Sequence, residues 1–217
     1  MKKFSKFGEI VEGYSIPVLN EREIRASAGI LFLFMFIAIS QASGQGNFTL
    51  IKYAVVIFLS DFLIRVFINT KFSPTLIIGR FIVRNQTPEY VGAEQKKFAW
   101  LIGIVLAVIM LILLVIMNSH SPISGLICMI CLLFLFFESA FGICFGCKIY
   151  SFVYKEKAQY CPGEVCDVKS RHNIQKINYI HFLIILAFVL YIVLLVFLFN
   201  DNFIQKPYDL FGIFPEH

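Results

Sequence analysis

Polar and apolar positions along the chain fall into blocks. Long apolar runs occupy roughly 27–44, 48–69, 98–117, 123–147 and 179–199, with polar stretches between them. No 3.6-residue or 2-residue alternation runs through these blocks. Uniformly apolar stretches near the ~20 residues that cross a ~30 Å hydrocarbon core read as helices in lipid. The pattern predicts an all-α fold, a polytopic membrane helix bundle of about five transmembrane helices. The first run is the shortest. Glu9, Glu12, Glu21 and Glu23 precede it, so it is expected to be a span rather than a cleaved leader.

Two smaller elements stand out between the blocks. In "VLNEREIRASAG", Asn20 is a good N-cap and Glu23 lies three residues on, as in a capping box. "KFSPTLIIGRFIVRN" reads as a short interfacial helix, with Ser73 as cap and Pro74 at the first position. Its Leu, Ile and Phe residues would enter the bilayer. Arg80 and Arg84 would reach headgroup phosphates.

Composition supports a membrane protein. Of 217 residues, 59% are hydrophobic, 15% are charged and 25 are Phe, more apolar surface than a soluble domain of this length could hide. The net charge of +5 would suit nucleic acid, but no aromatic-basic recognition motif accompanies it. The charge orients the chain instead. Sixteen Lys and Arg fall in the N-terminal arm and in the second and fourth loops, against Lys52 and Lys206 on the other side. The positive-inside rule then predicts a cytoplasmic N-terminus and an outer C-terminus in the cytoplasmic (inner) membrane. Residues 1–155 form an expected four-span core. Residues 156–217 add a Cys-containing cytoplasmic loop, a fifth span and a short outer tail.

Ionisable residues inside spans are costly and usually paired. Asp61 and Arg65 are four apart on one helix face. Glu138, in the fourth run, is expected at the depth of Asp61. The expectation is an Asp61–Arg65–Glu138 cluster in which two acids at close range raise one pKa, as a proton site needs. The alternative is an ion pair that only locks the bundle.

All six cysteines lie in or after the fourth run. Cys128, Cys131, Glu138, Gly142 and Gly146 share one stripe of a continuous helix over 123–147, where Gly142-x-x-x-Gly146 would serve close packing. Cys144 and Cys147 turn away from that stripe. As a C-x-x-C pair at a helix C-terminus they meet a field that disfavours a thiolate, while Lys148 favours one. With Cys161 and Cys166 they have spacings that suit a tetrathiolate metal site, zinc by default; otherwise no cofactor is implied. Packing, redox chemistry and metal binding all remain open for these residues. His120, His172, His181 and His217 are scattered, and no hydrolase or phosphate-loop motif is present.

"VLNEREIRASAG", "DFLIRVF", "FSPTLIIGRFIVR" and "ESAFGICFGCKIY" together resemble a bacterial integral-membrane family known as domain of unknown function 4395. Its FG-x-C-x-G-C-x-x-Y signature is matched by Phe141, Gly142, Cys144, Gly146, Cys147 and Tyr150. The resemblance covers about residues 15 to 155. It implies a four-span core and an association with thioredoxin-like or rhodanese-like soluble sulfur proteins. The leading expectation is thiol–disulfide or sulfur handling by Cys144 and Cys147 at the cytoplasmic membrane face. The alternatives are a small proton-linked transporter of a sulfur compound, acting as an oligomer, and a non-catalytic scaffold.

Overall fold

A computed structural model describes residues 7–12, 14–154 and 179–210. The architecture of these residues is all-α, with four very short strands among them clipping loops together. In chain order the elements are β1 (Val18–Asn20), α1 (Glu21–Gln45), α2 (Thr49–Leu63), α3 (Pro74–Ile82), β2 (Tyr90–Gly92), α4 (Ala93–Met110), β3 (Ser119–His120), α5 (Pro122–Phe141), α6 (Phe145–Tyr154), α7 (Tyr179–Ile204) and β4 (Tyr208–Asp209). Wide π-helical turns carry α2 on to Ile68 and α4 on to Ile116.

Among the described residues, four helices are long and apolar enough to cross a membrane: Glu21–Gln45, Ala93–Ile116, Pro122–Phe141 and Tyr179–Ile204. The expected second span is also helical over 49–68, but it carries Lys52, Asp61 and Arg65 among its buried residues. Outward-facing apolar side chains cover the bundle. Phe197 on α7 and Val105 on α4 are 85% and 58% exposed, as a lipid-facing surface requires. The inner faces of α1, α2, α4 and α5 build one core around Leu31, Phe58, Trp100 and Leu132.

Local sequence explains the ends of these helices. Asn20 caps α1, accepting the amide of Arg22. Glu23 does not complete a capping box; its carboxylate takes the side-chain amide of Asn20 and the guanidinium of Arg80. Ser73 caps α3 with Pro74 behind it, as expected. Ser121 and Ser124 form a reciprocal capping box on α5. β1 pairs antiparallel with β2, which ties the start of α1 to the start of α4. At the opposite end β3 pairs with β4. There buried Lys52 donates to Asn118 Oδ1 (2.6 Å) and to the carbonyl of Gln205 (2.7 Å), beyond the end of α7. A residue counted as a loop charge is thus a buried clip.

The fourth apolar run departs most from expectation, because it is not one helix to residue 147. Gly142 adopts a left-handed φ of 66° and ends α5. The amides of Gly142 and Ile143 turn back to the carbonyls of Glu138 and Phe137, a glycine-type helix stop. A new helix, α6, then starts at Phe145. The single packing stripe from Cys128 to Gly146 therefore does not form. Gly142 is a terminator. Gly146 packs against a different helix, since a Cβ there would lie 2.3 Å from the Cβ of Ala99 on α4. Phe145 stacks on Phe134 (5.5 Å between centroids) and meets Phe137 edge-on (5.0 Å). These contacts hold the start of α6 against α4 and α5.

Candidate functional site

The break at Gly142 changes the setting of the C-x-x-C pair. Cys144 lies at the N-terminus of α6, where its carbonyl accepts the amide of Lys148 at 3.2 Å. The Cys144 sulfur accepts the amide of Cys147 at 3.3 Å, the position of a side-chain N-cap. A helix N-terminus favours an anion, so the field that was expected to oppose a Cys144 thiolate supports one. Cys147 differs. Its hydrogen bond to Cys144 and its burial push its thiol well above the ordinary thiol range. One sulfur is therefore placed to receive hydrogen bonds and the other to keep its proton.

Both residues are buried, at 8% and 3% exposure. Cys144 borders a small cavity of about 40 Å³ whose walls include Trp100, Phe134, Phe145 and Glu138. Its lining is mostly apolar, with Glu138 as the one charged side chain among the residues that border it.

Glu138 belongs to a charge cluster beside this pair. The ammonium of Lys96 on α4 lies 2.6 Å from Glu138 on α5 and 2.8 Å from Glu21 on α1. Lys96 is fully buried, within electrostatic reach of Cys144 and Cys147. Arg25 flanks the cluster and donates to the carbonyls of Ser139 and Ala140 at the end of α5. Two carboxylates thus share one ammonium in the interior.

The other acid and base of the expected proton cluster lie elsewhere. Asp61 and Arg65 pair at 2.7 Å. Asp61 also receives the hydroxyls of Ser73 and Thr75 and the amide of Thr75. Arg65 reaches Ser27 and stacks its guanidinium over Phe62 and Trp100. Glu138 is not part of this knot. Asp61 and Glu138 face different neighbours: Asp61 meets Arg65, and Glu138 meets Lys96. Arg80 also departs from expectation. It does not reach headgroups but is buried and paired with Glu23 at 3.1 Å, while Arg84 lies over the exposed ring of Phe81.

Cys128 and Cys131 are buried on α5. Cys161 and Cys166, the other half of the expected tetrathiolate, lie outside the described residues. Among the described residues no group of three or more His, Cys, Asp or Glu is arranged to hold a metal.

The model of the family named Domain of unknown function (DUF4395) matches residues 19–155, well over half of the chain. The chain belongs to that family. The match begins at the α1 cap and ends just after α6, so it takes in the Glu21–Lys96–Glu138 cluster and the C-x-x-C pair of this DUF4395 protein. No curated protein and no solved structure matches it.

Sequence reasoning missed Glu21 and Lys96. In the sequence both stand among polar residues, Glu21 before the first span and Lys96 before the third. The available signal was spacing: each stands at the first turn of a helix whose next turns are apolar on the inner face.

Proposed function

We propose that this DUF4395 protein is a membrane thiol–disulfide exchange protein, with Cys144 as nucleophile and Cys147 as resolving thiol. The observation that carries the reading is the Cys144 sulfur at the N-terminus of α6, accepting the Cys147 amide. The Cys144 thiolate attacks one sulfur of a partner's disulfide, and the other leaves as a thiolate. Cys147 then displaces the remaining partner sulfur. The products are a Cys144–Cys147 disulfide and two partner thiols; the pair loses two electrons and the partner gains them. A sulfane-sulfur donor would meet the same nucleophile and leave a persulfide on Cys144.

The partner class is a soluble thioredoxin-like or rhodanese-like protein. The charge bias of the loops supports a cytoplasmic orientation for the N-terminus and for this pair, in the inner membrane. The proton-linked transporter has less support, because both oxygens of Asp61 are already taken by donors.

The test uses the full-length protein in membrane vesicles, exposed to glutathione disulfide and then alkylated. Peptide mass spectrometry should find a reversible Cys144–Cys147 disulfide, with Cys128 and Cys131 still reduced. Continued alkylation of both Cys144 and Cys147 at the untreated level would refute the reading.

A further inference from the structure

We infer that Met35, Met110, Cys128 and Cys131 form a site for one soft monovalent metal ion, Cu(I), in the core of the bundle. The inference goes beyond the dithiol reading above and does not rest on it.

The four residues come from three helices. Met35 lies on α1, Met110 ends α4, and Cys128 and Cys131 lie on α5. All four belong to the buried core. All four also border one small cavity of about 10 Å³, whose remaining walls are Val55 and Phe58 of α2 and Ala107 of α4. Cys128 and Cys131, three apart, share one face of their helix. The methionines are not spread evenly. Among the described residues, Met117 and Met129 face outward at 42% and 48% exposure, while the two buried methionines both border this cavity.

The donor set selects the ion. The cavity is bordered by two thiols and two thioethers, and by no side chain that carries oxygen or nitrogen. Thiolates and thioethers together suit Cu(I). Calcium and magnesium need oxygen ligands. Zinc takes thiolate, imidazole and carboxylate rather than thioether. Size agrees, since a cavity of about one water's volume has room for a single ion and none for an organic ligand.

Charge agrees as well, because an unbalanced charge inside a membrane bundle is costly. Binding through one thiolate displaces one proton: Cu⁺ and Cys–SH give Cys–S–Cu and H⁺. The loaded site then has no net charge, and the second thiol and the thioethers complete the coordination as neutral donors. A divalent ion needs both thiols ionised to reach the same balance.

The site also has an approach. Cys131 borders the larger cavity that Cys144 borders. A soft ion captured by Cys144 meets Cys131 on the wall of the same cavity, and exchange from thiol to thiol carries it inward.

The test titrates the full-length protein, reduced and free of oxygen in detergent, with the coloured Cu(I) complex of bicinchoninate. Cys128→Ala with Cys131→Ala should bind one ion fewer than wild type. Met35→Leu with Met110→Leu conserves core volume, so a role in packing alone would leave copper binding untouched. Even an outer-shell partner is worth about 10- to 100-fold in metal affinity, and loss of both thioethers should weaken this one ion by at least that much. Cys144→Ser with Cys147→Ser should keep the core ion at equilibrium, which separates this inference from the dithiol reading. Zinc should not displace the core ion. The inference is overturned if the Cys128 and Cys131 variant binds as many Cu(I) ions as wild type. It is equally overturned if the Met35 and Met110 variant holds all of its copper with wild-type affinity, or if zinc at equal concentration displaces the core ion.

Discussion

Two of the buried charge clusters among the described residues are built differently. The Asp61–Arg65 knot is closed. Its acid has one base and three further donors from Ser73 and Thr75, and its base lies between Asp61, Ser27 and two aromatic faces. The Glu21–Lys96–Glu138 trio is open: it has one base for two acids, and one of those acids borders a cavity shared with a thiol. A saturated buried ion pair resists a change of protonation, because every donor would lose its acceptor. An undercompensated cluster beside a cavity can take up a proton with little rearrangement. The difference separates a structural device that joins α1, α2 and α3 from a site able to take part in chemistry.

The largest effect that would break this comparison is at Asp61. Asp61→Ala leaves the Arg65 charge buried without its partner, a loss of about 3–5 kcal/mol. Thermal unfolding in detergent should fall accordingly, with little folded protein recovered. A variant as stable as wild type would mean that the knot is not structural.

The next effect is at Gly146. A side chain there overlaps Ala99, so Gly146→Val should cost about 1–3 kcal/mol by overpacking and slow capture of a disulfide by Cys144. Adding Ala99→Gly should recover part of both losses. No recovery would mean that α6 does not rest on α4 at this point.

A smaller effect separates the two-helix arrangement from a continuous fourth span. Gly142→Ala should destabilise by about 1–2 kcal/mol, because φ is left-handed there. The nearest atoms to a new Cβ, in Arg25, are 3.5 Å away, so the cost is conformational rather than steric. In an unbroken helix the same change would stabilise the protein.

The smallest effect concerns the asymmetry of the two thiols. Because the Cys147 pKa is raised, Cys147 is protonated at neutral pH, and its labelling should grow only as the solution is made alkaline. Iodoacetamide at neutral pH should modify Cys144 first, as mass spectrometry would record. Equal labelling would erase the distinction between nucleophile and resolving thiol.

Much of the architecture was legible in the sequence. Uniform apolar blocks mark membrane helices whatever their neighbours, and Asn20, Ser73 and Pro74 mark helix starts through purely local chemistry. The break at Gly142 was not legible, because the residues on both sides of it are apolar and a glycine suits an interhelical contact as well as a helix stop. That one choice reversed the electrostatics of the C-x-x-C pair, from a helix end that opposes a thiolate to one that favours it. The partnership of Glu138 was hidden for another reason. Depth along a helix can be read from residue number, whereas the direction a side chain faces depends on how the helices pack. Asp61 and Arg65, four apart on one helix, needed no such knowledge and were found.

The most direct test of the central claim is trapping on membranes with one thiol removed. Cys147→Ser should accumulate a mixed disulfide between Cys144 and a disulfide reagent or partner, released by reductant and seen as a mass increase on the Cys144 peptide. Cys144→Ser should accumulate none on Cys147. The contradicting result is a Cys147→Ser protein whose Cys144 stays a thiol throughout, or a Cys144→Ser protein that captures the partner through Cys147.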